Sequence, residues 1–245
     1  MKVSDKGQYT DRGGGEWWLL GILAVLRLFL MTLAVLVLLW RSATRNRSRA
    51  CPVWLARGFE HPVVERILSP RSTLDRMGLL PGQRILEVGP GMGRLLIPAA
   101  QRVLPGGEAV GLDIQREMIE RLKARAEEMG IANVTTMLGD ATQPNFAAES
   151  FDVIYLCGVL GEIPDPQGAL GQCHAALKPD GLLSITEVFA DPDYQSRSAV
   201  QRLAEASGFR LREALGPWYY FTANFVKPAT VRQIQPGMKA LEGLS

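Results

Sequence analysis

Arg84-Ile85-Leu86-Glu87-Val88-Gly89-Pro90-Gly91-Met92-Gly93 is the stretch whose reading decides the fold. Its first five residues are β-prone and run into a glycine turn, and Arg94 to Val103 follow with the apolar spacing of a helix. Strand, tight turn and helix in that order open an α/β unit. Gly89 and Gly91 permit backbone conformations and a close approach that a Cβ would block, while Gly93 lets the helix start near a ligand. The spacing is G-x-G-x-G rather than the G-x-G-x-x-G of dinucleotide sites, with Arg94 after the third glycine. A pyrophosphate seated on the helix N-terminus is therefore disfavoured.

Downstream the same alternation repeats. Ala109-Val110-Gly111-Leu112-Asp113 is a second short strand, and Gln115 to Met129 a charged amphipathic helix with Ile114, Met118, Ile119 and Leu122 on its apolar side. Val134 to Leu138 is a third strand, closed by Gly139-Asp140-Ala141. Phe151 to Leu156 reads as a strand covered on both faces. Asp165-Pro166 supplies an N-cap and a first-turn proline for a helix reaching Leu177. Lys178-Pro179-Asp180-Gly181 reads as a turn before a strand over Leu182–Val188. A helix from about Tyr194 to Ser207 and segments Phe209–Leu215 and Phe221–Val226 complete a domain over residues 81–227, with a turn-rich tail at 228–245. Alternating strands and helices predict a doubly wound parallel sheet, whose ligand crevice lies at the carboxyl ends of the strands. An acid closing the second strand, Asp113, suits a ribose, because a carboxylate offers paired acceptors.

Upstream the composition changes. After a tail at residues 1–16, Trp17 to Trp40 is almost entirely apolar, interrupted by Arg27. As a helix rising about 1.5 Å per residue it would measure roughly 36 Å, enough for a hydrocarbon core of about 30 Å. The flanking Trp17, Trp18 and Trp40 sit where aromatic belts belong, and Arg27 lies near enough to one end to snorkel. Five arginines (Arg41, Arg45, Arg47, Arg49, Arg57) and no acid follow. By the positive-inside rule they orient a single-pass span with the C-terminal domain on the cytoplasmic side. Residues 41–80 form a basic juxtamembrane linker and a lid segment.

The 245 residues carry 27 basic and 25 acidic side chains, so nothing in the overall balance points to nucleic acid. Three cysteines (Cys51, Cys157, Cys173) without C-x-x-C spacing, and two histidines, suggest neither a disulfide framework nor a metal site.

Five ordered segments carry a family resemblance: ILEVGPGMG (85–93), GLDIQREMI (111–119), GDA (139–141), FDVIYLCGVLGEI (151–163) and LKPDGLLSITE (177–187). Together they resemble class I S-adenosylmethionine (SAM)-dependent methyltransferases of the small-molecule group that includes quinone and phospholipid methylating enzymes. The resemblance implies a Rossmann-like, mostly parallel, seven-stranded sheet and SAM as cofactor. It implies that Glu87, Gly89, Gly91 and Gly93 surround the methionine part of SAM. By the same likeness Asp113 binds the ribose hydroxyls, Ile114 packs on the adenine, and Asp140, beside Ala141, accepts from its amino group. Cys157 and Gly158 would close the pocket. Asp180 departs from the family's K-P-G-G turn, and Gly161-Glu162 stands where many relatives place histidines or asparagine.

The protein's main task in such a reaction is to place the acceptor in line and exclude water. A carbon or hydroxyl acceptor also benefits from a base, and Glu162, with His61 in the lid segment, are the candidates. Tyr194, Tyr219 and Tyr220 are candidates for an acceptor pocket, whereas His174 reads as surface or packing. The leading expectation is a membrane-tethered methyltransferase acting on a lipid, quinone or other membrane-associated small acceptor. The alternatives are a tethered enzyme for a soluble metabolite or protein, and a non-catalytic SAM-binding assembly factor.

Overall fold

The computed structural model describes residues 20–29, 31–32, 35, 69–144 and 146–229. It divides into two compact units, residues 1–47 and 48–245. In the first, residues 20–29 are helical and exposed. Among the described residues no helix is long and apolar enough to cross a membrane. Both ends of the expected span over 17–40, the arginine run and His61 lie outside the described residues.

The second unit is a seven-stranded sheet. Its strands are β1 (Arg84–Val88), β2 (Glu108–Asp113), β3 (Val134–Leu138), β4 (Phe151–Cys157), β5 (Leu177–Val188), β6 (Arg210–Leu215) and β7 (Tyr220–Val226), in the order β3-β2-β1-β4-β5-β7-β6. β1 to β5 are parallel, and β7 runs antiparallel between β5 and β6. The order reverses at β1, which opens a crevice between the ends of β1 and β4. β1 and β4 are buried almost throughout, as their continuous apolar runs require, while the edge strands β3 and β6 alternate with exposed residues.

Successive residues of β1 feed separate cores. Leu86 and Val88 join one cluster with Ile154, Leu183, Leu170 and Val200. Ile85 joins the other with Val153, Leu74, Leu96 and Leu122. The helices divide accordingly: α1 (Pro70–Met77), α2 (Leu96–Arg102) and α3 (Arg116–Glu128) cover one face, α4 (Pro166–Ala176) and α5 (Arg197–Ala206) the other. The caps follow local chemistry. Asp165 accepts the Gly168 N–H at 2.9 Å, and Ser196 accepts from Ala199 at 3.3 Å.

Three sequence expectations are corrected. Lys178-Pro179-Asp180-Gly181 is an irregularity inside the long β5, where the pairing with β4 shifts register between Phe151 and Val153. Asp180 takes φ 60° there, a left-handed conformation that explains why a glycine suits this position. α2 starts two residues after Arg94, because the backbone is still completing the glycine turn. Ile114 is not part of the apolar side of α3: it precedes the helix and is 61 % exposed, whereas Met118, Leu122 and Ala126 are buried.

Candidate cofactor and acceptor site

The glycine turn hangs from the end of β2. Gly89 N–H donates to the Leu112 carbonyl at 2.8 Å, and Gly91 N–H donates to Asp113 Oδ2 at 3.2 Å. Asp113 Oδ1 accepts the Gln115 N–H at 2.9 Å, so one carboxylate ties the turn to the start of α3. Burial raises its pKa, and these backbone donors oppose the rise.

The three glycines have different reasons to lack a side chain. All take positive φ. A Cβ at Gly89 would meet Val159 at 2.6 Å, and one at Gly93 would strike Leu122 and Ile97. A Cβ at Gly91 would meet no atom of the described residues within 4 Å. Gly89 and Gly93 are thus demanded by packing. Gly91 borders open space, which fits a turn built for the close approach of a ligand.

Glu87, one residue before the end of β1, is 3 % exposed and accepts the Tyr155 hydroxyl at 3.0 Å from its register partner on β4. Burial pushes its pKa up to about 8, the charge of Asp113 adds to the rise, and Tyr155 and Arg94 oppose it. Such a carboxyl is ready to pair with a cationic ligand, since a positive charge brought alongside repays its desolvation. Exposed Ile114 supplies an apolar face, and Asp113 a paired acceptor. The residues at the ends of β1 and β2 therefore fit SAM's charged amino acid part, ribose and base.

The remaining sequence candidates divide. Cys157 and Gly158 close β4, and the Gly158 N–H is held by the Thr186 carbonyl at 2.9 Å. Burial pushes the Cys157 thiol up to about 12, which keeps it neutral and limits it to packing. At the end of β3, Gly139 N–H donates to the Asp113 carbonyl at 2.9 Å, which brings Asp140 to the same edge. One Asp140 oxygen, Oδ1, takes both the N–H and the hydroxyl of Thr142 at 2.8 Å, so this acid caps its own turn. Ala141 packs against the core. Tyr220 is buried, with its hydroxyl bonded to Thr73 and the Arg76 guanidinium 4.5 Å above its ring. His174 sets its ring edge against Phe209, as packing requires.

Across the crevice, the ends of β4 and β5 present other chemistry. Glu162 sits on a short 3-10 helix at Leu160–Glu162. Phe189, just past β5, stacks edge to face with Trp218 at 4.9 Å and Tyr194 at 5.4 Å, and Trp218 with Tyr219 at 5.7 Å. Tyr194 donates its hydroxyl to the Trp218 carbonyl at 2.6 Å. Phe189, Trp218 and Tyr219 remain exposed. Sequence reasoning missed Phe189, Trp218, Tyr155 and the buried Glu187 of β5. The last had a signal, since an acid stands inside the otherwise uncharged run Leu182–Val188.

Residues 79–210 match the family model described as a methyltransferase domain. The chain belongs to this family. Its SAM-dependent methyltransferase domain is 37 % identical over 200 residues to nocamycin O-methyltransferase of Saccharothrix syringae, a match covering 80 % of this chain and 63 % of that protein. It is 31 % identical over 176 residues to a ubiquinone/menaquinone biosynthesis C-methyltransferase of Vibrio parahaemolyticus, covering 71 % of this chain and 66 % of that one. The match thus spans under two thirds of these relatives' length. Among solved structures, a SAM-dependent methyltransferase from Aquifex aeolicus shares the fold at a TM-score of 0.67 and 20 % identity, over 72 % of this chain and 99 % of the other.

Proposed function

We propose that this methyltransferase acts on a flat, conjugated small molecule of the quinone or polyketide kind, and that residues 17–40 tether it to the membrane in which such an acceptor dissolves. The observation that carries the acceptor reading is the exposed aromatic edge of Phe189, Trp218 and Tyr219 beside the end of β5. Flat rings stack on such a surface with the offset and edge-on geometries that aromatic groups favour. The names of the relatives, on nocamycin and on ubiquinone and menaquinone, support the same class. The tether rests on the apolar run of the sequence, followed by its arginines.

Bound SAM would supply an electrophilic methyl group on a sulfonium. Asp113 and the glycine turn hold the donor, Glu87 compensates its charge, and the aromatic edge orients the acceptor and keeps water from it. Removal of residues 1–40 tests the reading. SAM affinity is expected to stay intact while turnover of a long-chain demethylmenaquinol in vesicles falls far more than that of a short-chain soluble analogue. Undiminished turnover in vesicles would reject the tether's role. Lack of transfer to either quinol, with transfer to a soluble non-aromatic metabolite, would reject the acceptor class.

A further inference from the structure

Glu187 is a further buried acid at the carboxyl ends of the strands, beside Glu87 and Asp113. It is the penultimate residue of β5, on the acceptor side, and is 1 % exposed. Oε2 accepts the Gln195 N–H at 3.0 Å, which ties the loop after β5 back to the strand. Oε1 is buried and has no hydrogen-bond partner among the described residues. Native proteins rarely leave a buried polar atom unsatisfied, and an orphaned oxygen costs about 1–3 kcal/mol. Where one persists at the end of a strand that borders a crevice, a group supplied from outside the chain is its natural complement.

The surroundings decide what that group is. Among the described residues, the charges that reach Glu187 are acidic: Asp191 and Asp193 on the loop after β5, and Glu162 on the short helix after β4. The Cys157 thiol, at the end of β4, also feels the Glu187 charge and stays neutral. With three acids around it, a carboxylate at Glu187 gains by taking up a proton. Burial is the larger cause in the same direction, and together they push its pKa up to about 8.

We propose that Glu187 accepts the acceptor's proton at Oε1 as the methyl group moves, so that the acceptor atom is a weakly acidic hydroxyl or enol carbon and not an amine or thiolate. The inference rests on the acceptor class proposed above. In the step the acceptor O–H bond breaks and its proton passes to Oε1. The electron pair left on oxygen forms the bond to the methyl carbon, and the sulfur keeps the pair of the broken S–C bond. One positive charge on sulfur and one negative charge on Glu187 vanish together, and the proton later leaves to water. At an enol carbon the same proton comes from the enol oxygen and the new bond forms at the conjugated carbon.

The test compares the full chain with its Glu187→Gln and Glu187→Asp variants, using 1-naphthol and 4-nitrophenol as probe acceptors. Gln keeps an oxygen for the Gln195 N–H but takes no proton. With 1-naphthol, a weak acid, kcat/KM of the wild type is expected to rise with pH and level near 8. Glu187→Gln is expected to lower it by about 100-fold, within the usual reach of a general base. It also removes that inflection and leaves only the rise set by the acceptor's own ionisation. Glu187→Asp restores part of the rate. With 4-nitrophenol, largely an anion at that pH, the Gln variant is expected to lose less than about fivefold, since no proton remains to be taken. Calorimetric SAM affinity is expected to be close to that of wild type in both variants, and both are expected to be folded at the assay pH. Retained 1-naphthol activity in Glu187→Gln, or equal losses on both acceptors, would overturn the assignment. A wild type that methylates neither probe would overturn the acceptor class, and with it the proton that Glu187 is proposed to take.

Discussion

At the scale of single residues, Asp113 carries two burdens at once. Its carboxylate is the acceptor for Gly91 and for Gln115, and we propose that it binds the cofactor as well. An Asn side chain keeps one oxygen but turns an NH2 toward one of the two backbone donors. Asp113→Asn is therefore expected to weaken SAM binding by about 2–3 kcal/mol, the worth of bonds to a charged group, while the domain stays folded. Isothermal titration checks this, and unchanged affinity would remove Asp113 from the cofactor site. Asp113 was legible in the sequence because it closes a strand beside a glycine turn. The orphaned oxygen of Glu187 was not, since no pattern of letters shows which donor a side chain lacks. Nor could the sequence tell that Asp140 spends one oxygen on Thr142.

At the scale of elements, the glycine turn separates what folding needs from what binding needs. Gly91→Ala places a Cβ clear of the described residues, so its folding cost among them is the left-handed backbone, about 1–2 kcal/mol. Its larger effect is expected on SAM affinity, a loss of at least roughly tenfold. Gly93→Ala adds to the same backbone cost an overlap with Leu122 and Ile97, and overpacking of this kind costs about 1–3 kcal/mol more. Urea unfolding and SAM titration of the two variants should thus rank them in opposite orders; the same order in both would mean that Gly91 is structural. Strands and helices were readable from periodicity nearly throughout. β5 was the exception, because Pro179-Asp180-Gly181 has turn composition while backbone pairing carries the strand through it. Local propensity yielded there to neighbours distant in sequence.

At the scale of the whole molecule, the buried glutamates Glu87 and Glu187 set the direction of pH dependence. Glu87 and Glu187 titrate near 8 in the folded protein, against 4.5 for a glutamate open to water. Between those values the folded state keeps protons that the unfolded chain has already released, so stability falls as pH rises from about 5 to 8. The fall is expected on the order of a few kcal/mol for the ligand-free protein. Each tenfold difference in proton affinity between the two states is worth about 1.4 kcal/mol, and residual structure in the unfolded chain reduces the sum. Glu87→Gln is expected to flatten the curve, leaving the variant relatively more stable than wild type at pH 8 than at pH 5. Chemical unfolding across that range checks it, and a wild type whose stability climbs toward pH 8 would contradict the assignment.

The bond from Gly91 to Asp113 joins residues 22 positions apart, at the ends of neighbouring parallel strands. A slip of one residue between β1 and β2 would turn Asp113 to the opposite face and leave the turn without its anchor. SAM affinity is therefore a gauge of strand registry. Misregistered chains, however compact, would stay blind to the ligand, and adding SAM during refolding would draw the population toward the aligned form by mass action.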